Sequence, residues 1–395
     1  MFLHLPTFFR ALRSTFSRRH FHPQHALWTA GLMLSFLGLR TTVLVFRGLD
    51  HIIFRAFRRQ EVKSPVYIIG NPRSGTTFLH RLLSLDSRFT SMALYQSIFP
   101  SVALYRLLST ARAADRAVGS PLERLTRRLS QRAFGGWTGI HRTRLSEPEE
   151  DEQLFVYSML TPVVTLLFPF FDELGHVGYV DRMSSKTRKR LMADYLGSLR
   201  RHLFAEGGNK TLLVKNTAVT GRLEATIIAM PEVRFIHMIR HPYDTVASLL
   251  SMYTVTWRRL APQAVESIET YRALADLFCD YYRSRLQILE AVPSSRVVDV
   301  RFDDLVRDPE RTVRRIYEAL DLDMSGEFTN LLEDATRRSR GYQSHHRYTL
   351  EDFGMTRAEI YDRLADVFET YGFDRDPSVD EGSPAFGGTE VSARQ

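Results

Sequence analysis

Val66–Leu83, VYIIGNPRSGTTFLHRLL, is the stretch that leaves this chain the fewest choices of fold. Val66 to Ile69 is an unbroken apolar run of strand length, and Phe78, Leu79, Leu82 and Leu83 recur at helical spacing. The polar segment GNPRSGTT therefore joins the end of a buried strand to the start of a helix. Such a junction binds anions, because the N–H groups of a helix's first turn have no partner inside the helix and point at whatever the loop encloses. Gly70 and Gly75 let the backbone curl where a Cβ would clash, Arg73 adds a charge, and Ser74, Thr76 and Thr77 add hydroxyl groups. The spacing is that of the nucleotide-phosphate loop GxxxxGK[ST], but Thr76 stands where that loop has its lysine, which disfavours an ordinary nucleotide triphosphatase.

Three further strand signals follow: TLLVK at Thr211–Lys215, VRFIHMI at Val233–Ile239, and Val297–Phe302 within RVVDVRFDDL. Between them lie helical patterns, an arginine-rich one from Leu94 to Ile140, one from Ser184 to Leu203, and a long amphipathic one from the fourth strand through Leu320. Pro242 in RHPYDTVASLL suits a helix's first turn. Strands alternating with helices predict an α/β fold, a doubly wound parallel sheet containing the phosphate loop, flanked by helices and carrying helical insertions. The expected division is a helical segment over 1–60, the main domain over 61–373, and a tail over 374–395 whose Gly, Pro, Ser and acidic content predicts disorder.

The N-terminal segment reads less cleanly. Ala26 to Leu39 is uncharged and mostly apolar, and Thr41 to Phe46 continues it beyond Arg40. A membrane-crossing helix needs about 20 apolar residues, and a central charge costs roughly 2.5–3.5 kcal/mol on insertion scales. Arg10, Arg13, Arg18 and Arg19 precede the run, and Arg47, Arg55, Arg58 and Arg59 follow it, as in an interfacial anchor rather than a signal peptide. Peripheral membrane contact through residues 1–60, a helix packed on the domain, and insertion of residues 26–46 all stay open. Cys279 is the single cysteine, so no intrachain disulfide calls for an oxidising compartment and no Cys/His zinc cluster can form; the expected location is the cytoplasm, with the membrane surface as its variant. The net charge of +8 suits an anionic ligand or surface, but scattered arginines without a helix-turn-helix, zinc-finger or RNP-like motif give no support for nucleic acid.

GNPRSGTT, RHPYDTVAS and the lysine that ends TLLVK together resemble the sulfotransferase family that uses 3′-phosphoadenosine 5′-phosphosulfate (PAPS). The likeness runs from about Pro65 to Phe373. It is closest in flavour to a large, mostly bacterial branch with an acidic EDE-type motif, here Glu150-Asp151-Glu152. That branch also has a C-terminal segment matched by His346, Tyr348, Leu350, Glu351, Phe353 and Gly354. KNTAVTGRLEA, Lys215 to Ala225, looks like its lysine strand end. The resemblance implies an enzyme that moves the sulfuryl group of PAPS to a hydroxyl of a small-molecule, lipid or carbohydrate acceptor without a metal. It implies that Arg73, Ser74, Gly75, Thr76 and Thr77 hold the 5′-phosphosulfate, that Arg240 and Ser248, eight positions on, hold the 3′-phosphate, and that His346 and Tyr348 reach over the nucleotide. Physics agrees on the pair: an arginine ending a strand and a serine in the next helix can converge on one phosphate.

Charge grows on the leaving oxygen during such a transfer, and Arg73, the loop N–H groups and Lys215 are the candidates to meet it. The attacking hydroxyl needs a base. Glu149–Glu152 is a dense carboxylate group in which like charges raise one another's pKa, so Glu150 is the expected base and Glu152 its orienting partner. A helix begun near Pro148 would set Glu149 and Glu152 on one face and Glu150 on another; His141 is the reserve base. The competing class is an atypical P-loop kinase or nucleotide-binding protein, against which Thr76 speaks. Phe168, Phe170, Phe171 and the apolar N-terminal run tilt the acceptor toward a lipophilic one.

Overall fold

Val66–Gly70 (β1) is buried along its whole length, as an unbroken apolar run requires. Its alternate side chains enter two different cores: Tyr67 and Ile69 join one helical layer through Leu191, Tyr195 and Leu199, while Val66 and Ile68 join the other through Leu79, Val313 and Ile316. Both faces of the sheet are thus covered. The chain is seen here as a computed structural model, which describes residues 1–121, 124, 148–339 and 349–376.

Five strands form one parallel sheet. With Phe89–Thr90 as β2, Thr211–Lys215 as β3, Arg234–Ile239 as β4 and Val297–Arg301 as β5, the order is β2-β3-β1-β4-β5. Ile68 of β1 lies opposite Lys215 of β3 and Ile236 of β4, so the ends of β1, β3 and β4 open on the same edge. In doubly wound sheets ligands bind there, where the strand order reverses. The two-residue β2 was not foreseen. The helix expected to run unbroken to Leu320 is two, Phe302–Arg307 and Pro309–Ala319, because Pro309 cannot continue the ladder and Asp308 caps the second by accepting from the Arg311 amide at 3.0 Å. The arginine-rich region is broken after Ile98: Leu94–Ile98 and Val102–Ala117 are separate helices, with Ser101 capping the second; residues 125–147 lie outside the described residues, as do 377–395 of the expected tail.

Leu5–Thr15 (α1) and Pro23–Ile53 (α2) pack on this body through Phe8, Met33, Phe36 and Val43, against Tyr157, Phe168 and Phe170. The charge that interrupts the apolar run points inward: Arg40 donates to the carbonyl oxygens of Tyr157 at 3.0 Å and Met1 at 2.7 Å. Arg47 pairs with Asp194 at 2.8 Å and Asp50 with Arg201 at 2.8 Å, and Asp50 also accepts from the Ala103 amide at 2.8 Å at the start of Val102–Ala117.

Candidate active site

The loop after β1 is tight enough to require its glycines. A Cβ on Gly70 would lie 2.7 Å from the carbonyl oxygen of Met238, and Gly75, at φ +83°, would place one 2.8 Å from the Phe302 ring. The loop ends in helix Thr76–Leu83 (α3). Arg73 sits at φ +71°, a left-handed conformation that costs a non-glycine residue roughly 1–3 kcal/mol and persists only where neighbours hold it. Those neighbours belong to the second motif. Arg240 Nη1, at the end of β4, donates to the Arg73 carbonyl oxygen at 2.7 Å, and Arg73 Nε donates to Ser248 Oγ at 3.0 Å. The expected pair, Arg240 and Ser248, therefore meets Arg73 of the phosphate loop at one place, across up to 175 positions of chain.

This end of the site holds donors without acceptors. Ser74 Oγ and Arg240 Nε are buried with no hydrogen-bond partner among the described residues, and a buried orphan costs roughly 1–3 kcal/mol unless something meets it. A ligand with several anionic oxygens fits that need. Beneath the loop, Asn71 Oδ1 accepts from Arg285 Nη2 at 2.8 Å, and Arg285 also donates to Thr220 Oγ1 at 2.8 Å and His237 Nε2 at 3.3 Å. Burial lowers the Arg285 pKa to about 10, so it stays charged. Its hydrogen-bond partners among the described residues carry no carboxylate, and one of them, Asn71, belongs to the loop itself.

Lys215 forms the other end. Its fully buried Nζ donates to Glu149 Oε1 at 2.7 Å and Thr77 Oγ1 at 3.1 Å, and lies 3.5 Å from Glu150 Oε1. Burial alone would lower the lysine pKa; the carboxylates of Glu150 and Glu149 more than reverse it. Burial pushes the Glu150 carboxyl up to about 7, with Glu149 and Glu152 adding to the rise against Lys215. The Glu150 side chain still keeps 23% exposure, and Thr217 Oγ1 donates to its Oε2 at 3.3 Å. His80 of α3, pushed down to about 3 by burial and by Lys215, is a neutral imidazole 3.0 Å from Ser91 Oγ.

The remaining acids turn inward, which corrects the expected helix from Pro148. Pro148 bridges antiparallel to Ala93, the Glu149 amide donates to Met92 O at 3.0 Å, and the helix begins only at Gln153. Asp151 accepts from Asn216 Nδ2 at 2.7 Å and from the Tyr195 hydroxyl; burial pushes its carboxyl up to about 6. Glu152 accepts from Arg222 Nη1 at 3.1 Å, from Arg222 Nη2 and from the Thr161 hydroxyl. Glu152 is thus engaged by Arg222, and the groups that orient Glu150 are Lys215 and Thr217. Thr217 and Arg222 fall inside the KNTAVTGRLEA segment that marked the lysine strand end, a signal that could have found them; Arg285 had none. His141, His346 and Tyr348 lie outside the described residues.

The sequence profile of the sulfotransferase family matches residues 65–326. The chain is 26% identical to the omega-hydroxy-beta-dihydromenaquinone-9 sulfotransferases of Mycobacterium bovis and Mycobacterium tuberculosis, over 94% of its length and 91% of theirs. Crystal structures of sulfotransferase STF1 from Mycobacterium tuberculosis (20% identity, 91% of each chain) and sulfotransferase STF9 from Mycobacterium avium (18% identity, 92% of this chain and 89% of the other) share its fold, each with a TM-score of 0.70.

Proposed function

Since the chain belongs to the sulfotransferase family and is a sulfotransferase, we propose that it takes the sulfuryl group from PAPS and places it on the hydroxyl of a lipophilic acceptor, in the cytoplasm at a membrane surface. The observation that carries this reading is the junction of Arg73, Arg240 and Ser248, which ties the phosphate loop to the second motif within hydrogen-bonding distance. Arg73, Ser74, Gly75, Thr76 and Thr77 would hold the 5′-phosphosulfate, and Arg240 with Ser248 the 3′-phosphate; the orphaned Ser74 Oγ and Arg240 Nε gain partners in such a ligand. The catalytic unit is residues 61–373, with 1–60 as its membrane-facing segment.

When bound, the donor supplies an activated sulfuryl group: the acceptor oxygen bonds to sulfur as the sulfur–oxygen bond to the 5′-phosphate breaks, the electron pair leaves with the phosphate oxygen, and the acceptor proton passes to Glu150. Lys215 and Arg73 supply preorganised positive charge where the negative charge grows. Glu150 suits the proton's role because its carboxyl titrates near neutrality and keeps exposure toward an incoming alcohol, while Thr217 and Lys215 fix its orientation. The acceptor class is supported by the relatives' names, which specify a hydroxylated menaquinone derivative, and by the apolar exposure of α1 and α2. The test is incubation of the full-length enzyme with sulfur-labelled PAPS and a cellular lipid extract. Label on a lipid-soluble alcohol is expected; magnesium-dependent ATP turnover without sulfuryl transfer would overturn the reading in favour of a kinase.

A further inference from the structure

The outer face of α2 is built the wrong way round for a helix in water. Its buried positions, His25, Thr29, Met33, Phe36, Val43, Arg47 and Asp50, form one narrow stripe that contains the charges. On the opposite ridge stand Leu27, Leu34, Val45 and Ile52, exposed by 76%, 73%, 57% and 66%. From Leu27 to Leu49 no exposed position carries a charged side chain. Phe9 of α1 and Phe16 and Phe21 of the connecting segment are exposed as well. A solvated surface helix places its polar residues outward, and a contiguous apolar patch of this kind marks a contact with something else.

We propose that this face of α1 and α2 lies flat in the surface of an anionic lipid bilayer, with the α2 axis in the membrane plane; the proposal deepens the reading of an enzyme that takes its acceptor from a membrane, and rests on it. Charge selects the occupant. Exposed Arg18 stands before α2 and exposed Arg55 and Arg59 stand after it, and none of the three forms an ion pair among the described residues, although Arg13 and Arg19 are paired with Glu173 and Asp172. Apolar residues flanked by cations match the acyl boundary and the anionic headgroups above it. A second copy laid on the same face would set arginines against arginines in either direction, since both ends are cationic. A span is opposed by the inward charges: withdrawing α2 would strand Asp194, Arg201 and the capped start of Val102–Ala117. The face is also joined to the chemistry. The segment that supplies Glu149 and Glu150 runs on directly into Tyr157, Phe168 and Phe170, the wall on which α1 and α2 rest.

The experiment is flotation of the full-length protein with phosphatidylcholine vesicles and with phosphatidylcholine–phosphatidylglycerol vesicles. Wild type should float with the anionic vesicles. Leu34→Glu combined with Val45→Glu should lower the bound fraction about tenfold or more, because two charges enter the apolar boundary. Arg55→Gln combined with Arg59→Gln should weaken binding to the anionic vesicles alone. Both variants change exposed positions and should keep the wild-type unfolding temperature and affinity for adenosine 3′,5′-bisphosphate. Absence of wild-type flotation overturns the proposal, as does a dimer in sedimentation velocity that the glutamate variant dissolves, or protein that resists alkaline carbonate extraction from vesicles. Vesicle binding without nucleotide binding would sink the donor reading and leave this one standing.

Discussion

Glu149 and Glu150 stand next to Asp151 and Glu152 in the chain, yet the two halves of this acidic run live in different chemistry. The first half shares the Lys215 ammonium and keeps some exposure, 13% for Glu149 and 23% for Glu150. The second half is buried and saturated, Asp151 by Tyr195 and Asn216, Glu152 by Arg222 and Thr161. The lesson is that a run of like charges is not a unit of function. Extended backbone through Pro148 and Glu149, fixed by pairing with Met92 and Ala93, points the first two acids to the strand-end lysine and the following turn carries the next two under it. One half faces the strand-end lysine with part of its surface exposed, and the other is held beneath it by buried partners of its own.

Substitutions can separate the halves. The largest effect on turnover belongs to the cation that the first half shares: on the proposed mechanism Lys215→Ala should lower kcat about 10³-fold by removing positive charge beside the phosphate loop, measured as labelled sulfuryl transfer at saturating donor. Next comes Glu150→Gln, with a loss of about 10²-fold. Its signature is the pH profile. A base must be deprotonated, and the Glu150 carboxyl is pushed up to about 7, so wild-type kcat/KM should fall as pH drops through that value and level off above it. In Glu150→Gln this acid limb should vanish; a limb that persists unchanged assigns the proton to another group. The smallest effect on turnover belongs to the second half. Glu152→Gln should change kcat less than tenfold while removing about 3–5 kcal/mol of stability in chemical denaturation, because Arg222 is left buried without its counter-charge. Loss of turnover with unchanged stability in this variant would erase the distinction between the halves.

The same contrast explains what the amino-acid sequence disclosed. The phosphate loop was legible because its constraint is local: strand, glycines and helix lie within a single stretch, and each residue type answers a demand made by its immediate neighbours. The parallel sheet was legible for the same reason, except β2, which at two residues has no periodicity to read. Arg240 and Ser248 were legible through the family resemblance, but not their hold on Arg73, which is a contact between distant strands and helices. Within Glu149–Glu152 the sequence singled out Glu150, but not the separation of Glu149 and Glu150 from Asp151 and Glu152. That separation depends on the pairing of Pro148 with Ala93, and residues 55 positions apart leave no periodic trace in either segment. Arg285 was hidden differently, since nothing in a sequence separates a buried arginine held by neutral partners from one in water. The N-terminal segment shows the converse. Arg40 read as an obstacle in an apolar run, whereas its side chain reaches back to two carbonyl oxygens and leaves the outward face uncharged.

Titration calorimetry tests whether Arg73 and Arg240 together grip one doubly phosphorylated nucleotide, as proposed. Adenosine 3′,5′-bisphosphate should bind the wild type at least about tenfold more tightly than ADP, and Arg240→Ala should abolish that preference by removing a charge-assisted contact with the 3′-phosphate. Equal affinity for the two nucleotides in the wild type, or a preference that survives Arg240→Ala, would contradict it.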